Sequence, residues 1–275
     1  MTNTAQSDTS QVILITGAAS GLGWALTQRY SAMGHVVVMM DVQAQLLQEK
    51  ADQLIAGGLN ANKLHVVVAD ITNTDAINNL VNDIQSKFGC LDVLINNAGI
   101  THRSLVEKTK AEVIRKVMAV DYQGPVELAV AALPLLKESK GTIINVSSMA
   151  GWMPVLGRAG YCAAKSALHQ FFEVMRCEIK QYDVKILMVY PSFLDTPIEV
   201  NALGHDGKQA THARSMVGGL GSADTVADSI IAAHKKGKQR LFPNKFTWVA
   251  SVLYKLLPSV FLNGMTKKFA SELDA

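Results

Sequence analysis

The chain has 275 residues, 49% of them hydrophobic, and its 26 Lys and Arg side chains against 23 Asp and Glu give a formal net charge of +3. This length allows two domains or one large α/β domain, and so small a net charge gives no reason to predict nucleic acid as a partner. The three cysteines, Cys90, Cys162 and Cys177, and the scattered histidines match neither a disulfide framework nor a metal site.

The first segment, residues 1–10, is a polar tail with one acidic and no basic side chain. Secretory signals and transit peptides carry basic residues, so the segment matches neither class. Together with a cysteine pattern that suits a reducing compartment, this segment predicts a cytoplasmic protein.

Beyond residue 10, short aliphatic runs alternate with segments of helical period. The predicted strands are 11–16, 35–40, 64–69, 92–95, 142–146, 184–190 and 240–242. The first predicted helix follows the first strand and ends near residue 33. The other predicted helices cover 43–56, 74–88, 107–138, 159–182 and 223–235. Unbroken aliphatic strands are buried on both faces, and their alternation with helices implies parallel crossovers. The sequence therefore predicts a doubly wound (Rossmann) α/β fold, a single domain over 11–242 with about seven parallel strands and helices on both faces.

A glycine-rich turn from Thr16 to Gly23 joins the first strand to the first helix, and Asp41 ends the second strand. Such a turn lets the backbone approach a pyrophosphate, which then lies at the positive end of the helix. The carboxylate of Asp41 would accept hydrogen bonds from ribose hydroxyls and repel a 2′-phosphate. The pattern predicts NAD(H) in preference to NADP(H). The alternative is that Asp41 only caps the helix that begins near Gln43.

Tyr161 and Lys165 are four residues apart in the predicted helix 159–182, which places their side chains on one face, one turn apart. A phenol has an unperturbed pKa of about 10, and a neighbouring ammonium lowers that pKa by favouring the phenolate. The pair predicts a general acid/base. Taken singly, Tyr161 also fits a packing aromatic residue and Lys165 a solvated surface cation.

Together these motifs resemble the short-chain dehydrogenase/reductase family over residues 11–242. The resemblance rests on six motifs in one order: the Thr-Gly-x-x-x-Gly-x-Gly turn at 16–23, Asp70-Ile71, Asn96-Asn97-Ala98-Gly99, Ser148, Tyr161-x-x-x-Lys165, and the segment from Pro191 to Thr196.

The resemblance implies an NAD(H)-dependent oxidoreductase that transfers a hydride between nicotinamide and a hydrophobic secondary alcohol or ketone. Tyr161 would exchange the hydroxyl proton, Ser148 would hydrogen-bond the reacting oxygen, and Lys165 would lower the tyrosine pKa and bind the nicotinamide ribose. The implied cofactor-binding residues are Gly17, Ser20, Gly21, Leu22, Gly23, Asp41, Asp70, Ile71, Asn97, Ala98, Gly99, Tyr161, Lys165, Pro191, Leu194 and Thr196. The family also implies self-association, as a homodimer or homotetramer.

Asp121 departs from the family pattern, which usually has a catalytic asparagine at this position in a Val-Asn-x-x-Gly context. The family assigns the role to the main-chain carbonyl, so aspartate can keep it, and Asp121 is therefore included among the catalytic residues. Its charge would also weaken the effect of Lys165 on Tyr161. The alternative function is accordingly a catalytically weak or inactive NAD-binding regulatory or scaffold protein of the same fold.

The irregular segment 193–220 is predicted as the substrate loop, because irregular stretches of this length inside a compact domain are usually functional. Its apolar side chains predict a hydrophobic pocket: Phe193, Leu194, Val200, Leu203, Met216 and Val217.

Residues 243–275 are predicted as a C-terminal helical extension. Apolar side chains recur at helical spacing from 246 to 257, and Pro258 ends or kinks the helix. A basic cluster precedes this stretch at 235–240, which would suit a peripheral contact with the cytoplasmic face of a membrane through residues 243–262. The same apolar stripe equally suits a helix that covers the substrate cleft or one that contacts a second subunit.

Overall fold

A computed structural model of the chain describes residues 10–211 and 219–268, and within them the strands form one parallel sheet. The strands are β1 (Val12–Thr16), β2 (Val36–Asp41), β3 (Leu64–Val68), β4 (Val93–Asn96), β5 (Thr142–Val146), β6 (Lys185–Val189) and β7 (Arg240–Leu241). They lie in the order β3-β2-β1-β4-β5-β6-β7. The predicted doubly wound fold with seven strands in a single domain is confirmed.

Helices lie in the parallel crossovers between strands, and two further helices follow β7. They are α1 (Gly21–Ala32), α2 (Ala44–Ala56), α3 (Thr74–Phe88), α4 (Ala111–Met118), α5 (Gly124–Ser139), α6 (Ala159–Glu178), α7 (Pro197–Val200), α8 (Ala223–Lys235), α9 (Lys245–Leu256) and α10 (Pro258–Lys268). None of the helices in the described ranges is both long and apolar enough to cross a lipid bilayer.

The sheet is covered on both faces, so alternate side chains of each strand enter different cores. In β1, Val12 and Leu14 pack in the core formed with α3, α5 and α6, whereas Ile13 and Ile15 pack in the core formed with α1, α2 and α8. All four side chains are buried. Because both faces need apolar residues, the strand reads as an unbroken aliphatic run rather than as an alternating pattern.

The strand order reverses at β1, which pairs with β2 on one side and β4 on the other. In doubly wound sheets a crevice opens at this point, beyond the carboxyl ends of the strands. The glycine-rich turn follows β1, the Asn96-Asn97-Ala98-Gly99 motif overlaps and follows the end of β4, and Ser148 lies just beyond β5. The topology thus gathers the sequence motifs at one edge of the sheet.

The predicted helix 107–138 is interrupted. It begins at α4, widens into a π-helical turn over Ala119–Gln123, and continues as α5. Pro125 has no N–H to donate to the carbonyl of Asp121, so the α-helical bonding pattern cannot continue through this turn. A side chain at Gly124 would also lie only 2.5 Å from the carbonyl oxygen of Ile71. The proline and the close approach to Ile71 account for the interruption.

Two other boundaries differ from the prediction. The helix predicted over 159–182 ends at Glu178 and is followed by a separate 3-10 turn over Lys180–Tyr182, after which Asp183 adopts a left-handed conformation (φ 57°) that turns the chain into β6. Pro258 starts α10 rather than only ending α9, because the first position of a helix needs no N–H donor.

Candidate active site

The glycine-rich turn after β1 depends on its glycines for steric reasons. Gly17 and Gly21 have positive φ angles of 65° and 51°, which side-chain-bearing residues rarely adopt. A Cβ atom at Gly23 would lie 2.0 Å from the carbonyl oxygen of Gly17. The turn and the first helical residues therefore pack too closely for any other residue at position 23.

The side chain of Asn97 fixes this turn from the neighbouring strand. Its Nδ2 atom donates hydrogen bonds to the carbonyl oxygens of Thr16 (2.9 Å) and Gly17 (3.2 Å). In return, the hydroxyl of Thr16 accepts hydrogen bonds from the backbone N–H groups of Asn97 and Ala98, both at 3.0 Å. The conformation of the turn is thus set by protein contacts alone.

The N-terminus of α1 is suited to an anion. Its N-cap residue, Ser20, makes no side-chain capping bond, and the first turn of the helix contains no acidic residue. The N–H groups at a helix N-terminus and the helix dipole favour a negatively charged group such as a pyrophosphate. The turn therefore fits the phosphates of a dinucleotide.

Asp41 lies at the carboxyl end of β2, beside this turn, and is 6% exposed. One carboxylate oxygen accepts a hydrogen bond from the backbone N–H of Ala19 and the other accepts one from that of Gln43, both at 3.0 Å. The bond to Gln43 closes a turn just before α2, whose N-cap residue is Gln43 itself, so Asp41 does not occupy the capping position. The carboxylate also borders the cavity described next.

A cavity of about 530 Å³ lies along the carboxyl edge of the sheet. It is lined by the predicted cofactor-binding residues Gly17, Ser20, Gly21, Leu22, Asp41, Asp70, Ile71, Asn97, Ala98, Gly99, Tyr161, Lys165, Pro191, Leu194 and Thr196, and by Ser148. The two remaining predicted site residues do not line it. Gly23 packs beneath the turn, and Asp121 is fully buried behind Gly99.

Tyr161 and Lys165 project from the first turns of α6 into this cavity. The Nζ atom of Lys165 lies 5.8 Å from the centroid of the Tyr161 ring and donates a hydrogen bond to the carbonyl oxygen of Val146 at 3.2 Å. The hydroxyl of Ser148 accepts a hydrogen bond from the backbone N–H of Ala150 at 3.1 Å, which fixes its position after β5. The three predicted residues therefore border one space.

A family model described as short chain dehydrogenase matches residues 11–206. The chain belongs to the short-chain dehydrogenase/reductase family. Dehydrogenase/reductase SDR family member 7B from Bos taurus is 31% identical over 266 residues, which cover 95% of this chain and 82% of the relative. 11-beta-hydroxysteroid dehydrogenase A from Sesamum indicum is 34% identical over 189 residues, or 68% of this chain and 53% of the relative.

Solved structures of two dehydrogenases share this fold. A short-chain dehydrogenase/reductase from Burkholderia phymatum in complex with NAD superposes with a TM-score of 0.79, 22% identity, and coverage of 90% of this chain and 93% of the other. An alcohol dehydrogenase from Thermococcus sibiricus complexed with 5-hydroxy-NADP gives a TM-score of 0.73 at 20% identity and covers 85% of this chain and 96% of the other. At these identities the likeness concerns the fold.

Asp121 is the position at which this member of the short-chain dehydrogenase/reductase family departs from the usual asparagine. It lies in the π-helical turn and is 0% exposed, and its Oδ2 atom is 3.5 Å from the Nζ atom of Lys165. Its Oδ1 atom accepts a hydrogen bond from the backbone N–H of Ile100 at 2.8 Å. Burial raises the pKa of Asp121, while the positive charge of Lys165 acts in the opposite direction. Asp121 thus contacts the lysine and not the cavity.

The pKa of Tyr161 differs in direction from the sequence-based expectation. Burial raises this pKa above its usual value, the negative charge of Asp121 raises it further, and hydrogen bonding with Ser148 lowers it only in part. The sequence predicted that Lys165 lowers this pKa and that the charge of Asp121 weakens the effect, but it did not predict that burial and Asp121 together raise the pKa. Because Lys165 is paired with Asp121, much of its positive charge is already compensated.

Arg158 was not predicted from the sequence as a site residue. It is 5% exposed, borders the cavity, and donates hydrogen bonds to the hydroxyl of Thr101 (2.9 Å) and to a carboxylate oxygen of Glu199 (2.8 Å). Glu199 lies in α7, so this buried ion pair joins the start of α6 to the substrate loop. Its position three residues before Tyr161 is the only sequence signal, and it does not identify Glu199 as the partner.

His102 also contributes without being predicted. It is 1% exposed, and its Nε2 atom accepts a hydrogen bond from the backbone N–H of Gly160 at 2.9 Å. Burial lowers the pKa of His102 to about 4, so the ring is neutral near pH 7 and able to accept this bond. His102 therefore fixes the N-terminus of the helix that carries Tyr161.

The predicted hydrophobic pocket is only partly correct. Phe193 and Leu194 line the cavity, but Val200 is 66% exposed, and neither Val200 nor Leu203 borders the cavity. Met216 and Val217 lie outside the described residues. Among the described residues of 243–268, none lines this cavity.

Proposed function

We propose that the chain is an NAD(H)-dependent oxidoreductase that transfers a hydride between nicotinamide and a hydrophobic secondary alcohol or ketone, with Tyr161 as the acid/base. One observation carries the proposal. The glycine-rich turn, Asp41 and the triplet of Ser148, Tyr161 and Lys165 border a single cavity. A nucleotide cradle and a proton-transfer group in one space are the two parts that such a reaction needs.

In this mechanism each residue has a separate task. A bound nicotinamide supplies the acceptor or donor of the hydride. The phenol oxygen of Tyr161 takes the proton from the substrate hydroxyl, or returns it to a carbonyl oxygen in the reverse reaction. The hydroxyl of Ser148 holds the reacting oxygen beside that phenol. The ammonium of Lys165, fixed by Val146 and Asp121, favours the phenolate form, which accepts the proton and becomes the phenol.

The preference for NAD(H) over NADP(H) rests on Asp41. Its carboxylate is held at the end of β2 by two backbone N–H groups, so it cannot rotate away from the cavity without losing both bonds. A fixed negative charge there would repel a 2′-phosphate, while its remaining lone pairs suit ribose hydroxyls.

The proposed substrate is a bulky apolar alcohol or ketone. Phe193 and Leu194 give an apolar wall to the cavity that Tyr161 also borders. The name of the sesame relative refers to a hydroxysteroid, which is a secondary alcohol of this kind.

Self-association as a homodimer or homotetramer is part of the proposal. Apolar side chains are exposed on the outer faces of α5 and α6, with Val130 of α5 at 54% and Val174 of α6 at 48% exposed. Contact between subunits through these helices would remove both side chains from water.

A panel of secondary alcohols of increasing apolar size, each with NAD or NADP, tests the function. We expect NADH formation that increases with apolar size, and kcat/KM for NAD at least about tenfold above that for NADP, since a buried like-charge contact costs more than about 1.4 kcal/mol. The variant Asp41→Ala should reduce that preference, whereas Asp52→Ala, an exposed position on α2, should leave it unchanged. Activity with neither dinucleotide contradicts the function, and equal use of both contradicts the role of Asp41.

The alternative of a catalytically weak or inactive NAD-binding regulatory protein is favoured by one observation, the charge of Asp121 beside Lys165. The variant Asp121→Asn removes this charge and keeps an oxygen that can accept the bond from Ile100.

Because Asp121 raises the pKa of Tyr161, its neutralisation should lower that pKa. For alcohol oxidation, kcat/KM should rise with pH as Tyr161 becomes a phenolate. We expect this rise to move about one pH unit lower in the variant, which makes oxidation about tenfold faster near neutral pH. Asp52→Asn serves as the control. A limb that stays in place or moves higher contradicts the assigned effect, and a wild-type chain that binds NADH without turnover supports the alternative.

A further inference from the structure

Helix α9 carries polar side chains on its buried face. Thr247 is 1% and Ser251 is 3% exposed, and their hydroxyls donate hydrogen bonds to backbone carbonyl oxygens of Asn244 (2.7 Å) and Trp248 (2.6 Å). These bonds within the helix satisfy the hydroxyls without any partner from the sheet. These two buried side chains of α9 are therefore small and polar, unlike the large apolar side chains with which a helix usually packs on a hydrophobic core.

The outward side of α9 and its continuation in α10 is apolar. We call these residues the C-terminal apolar face: Trp248, Val249, Leu253, Leu256, Leu257, Val260 and Leu262. Their exposed fractions range from 39% for Leu262 to 72% for Leu256. Isolated exposed apolar residues are common on protein surfaces, but seven large ones within fifteen residues along two consecutive helices indicate an interaction surface.

Contacts on the other side hold the two helices in place. The Nζ atom of Lys255 lies 3.5 Å from the ring centroid of Trp152, which follows β5, and the rings of Tyr254 and Phe261 pack edge to face at 5.3 Å. The first contact ties α9 to the domain and the second joins α9 to α10. The two helices that carry the C-terminal apolar face are thus held in place without a binding partner, so the surface is preorganised.

The charged residues of α9 and α10 and of the segment just before them are basic. Between Asp228 and Glu272 the sequence contains no acidic residue, and the basic residues are Lys235, Lys236, Lys238, Arg240, Lys245, Lys255, Lys267 and Lys268. Two of these have partners inside the protein, Arg240 with Glu173 and Lys255 with Trp152. The side chains of Lys245, Lys267 and Lys268 are exposed at the ends of the two helices that carry the apolar face.

We propose that the C-terminal apolar face is a docking surface for a membrane that contains anionic lipids. Apolar side chains bordered by lysines are the composition of helices that lie in the plane of a membrane interface, where the apolar groups enter the acyl region and the ammonium groups bind phosphates. The helices have only 12 and 11 residues and are separated by Leu257, so they suit an interfacial and not a spanning position.

The charge argues against a second copy of this chain as the occupant. A symmetric contact places the same surface on both subunits, so the basic residues would face each other across an apolar seam. Like charges that face each other oppose association. An anionic lipid surface supplies the opposite charge to Lys245, Lys267 and Lys268.

Flotation of the full chain with phosphatidylcholine vesicles, with and without phosphatidylserine, tests the proposal. We expect flotation with the anionic vesicles and weaker binding as salt is added, since screening reduces the electrostatic part. Leu256→Glu and Val260→Glu should each lower the partition coefficient at least about tenfold. Each variant puts a charge where the bound protein would bury an apolar side chain in the bilayer. Val106→Glu, a position that is 62% exposed in a loop outside these helices, should have no effect.

Trp248 provides a reporter within the face. Brominated acyl chains should quench part of the tryptophan fluorescence of the bound wild-type chain, and Trp248→Phe should remove this quenching while flotation persists. Circular dichroism and thermal unfolding check that each variant is folded.

Three outcomes would overturn the proposal: absence of the wild-type chain from the floated fraction, equal flotation of Leu256→Glu, or a reduction of the oligomeric state by Leu256→Glu in size-exclusion chromatography without lipid. The last would assign the face to a second copy. None of these readouts depends on the oxidoreductase activity, so the two proposals can fail separately.

Discussion

Replacing Tyr161 with Phe is expected to lower kcat/KM for alcohol oxidation by about a thousandfold, because loss of a positioned general acid/base typically costs 10²–10⁴-fold. The ring stays in place against Lys165, and the variant lacks only the hydroxyl that exchanges the proton. Dinucleotide binding should be retained, since the glycine-rich turn and Asp41 are untouched. Steady-state kinetics and titration of NADH fluorescence measure the two properties on one preparation.

Tyr182→Phe is the matched control for this experiment. Tyr182 lies in the turn after α6 and is 40% exposed, with its ring against the ammonium of Lys137. The substitution Tyr182→Phe removes a tyrosine hydroxyl outside the cavity, so activity should change less than about twofold. Turnover by Tyr161→Phe near the wild-type rate would exclude the phenol as the proton-transfer group.

Replacing Lys165 with Met is expected to abolish turnover and to lower the free energy of unfolding by about 3 kcal/mol near neutral pH. The reason for the second effect is that Asp121 is 0% exposed and would keep a buried carboxylate without its cation. Removal of one member of a buried ion pair typically costs 3–5 kcal/mol. Urea denaturation followed by circular dichroism measures the loss, with Lys180→Met, at an exposed position, as the control.

The pH dependence distinguishes this charge effect from a simple packing defect. Burial raises the pKa of Asp121 in the folded chain, and without Lys165 nothing cationic opposes that effect. In Lys165→Met the carboxyl of Asp121 therefore has a lower pKa in the unfolded chain than in the folded chain. The free energy of unfolding falls as pH rises between these two pKa values, and the loss disappears below the pKa of the unfolded chain.

A double variant provides the second check. Lys165→Met combined with Asp121→Asn carries no buried charge at the pair, and it should recover most of the stability lost by Lys165→Met alone. If the loss is the same at every pH and the double variant does not recover, Asp121 is not the cause.

The fold and the dinucleotide cradle could be predicted from the sequence because their signals are local. The aliphatic run of β1, Gly23 against the carbonyl of Gly17, and the four-residue spacing of Tyr161 and Lys165 each follow from a few consecutive residues and standard helix or strand geometry. The parallel pairing of the strands followed from the rule that crossovers in α/β proteins are parallel.

The electrostatics of the site could be predicted only in part. The departure from the family pattern at Asp121 indicated a negative charge that acts against Lys165, but not the burial that raises the pKa of Tyr161. The contact of Asp121 with Lys165 requires the π-helical turn, which depends on the missing N–H of Pro125 and on the approach of Gly124 to Ile71. The ion pair of Arg158 with Glu199 joins residues 41 positions apart in the chain through a loop of no regular period. Such contacts depend on how elements dock, and no local pattern encodes docking.

The hydrogen bond from the side chain of Asn97 to the carbonyl oxygen of Thr16 joins residues 81 positions apart in the chain. A contact of that range can form only after β4 has taken its place beside β1, which means that the phosphate cradle has no settled shape during the early part of chain synthesis. Tyr161 arrives later still, from the other half of the sheet. Because the core that supports the glycine-rich turn also includes α8, the nucleotide cradle and Tyr161 gain their positions only when the whole domain folds.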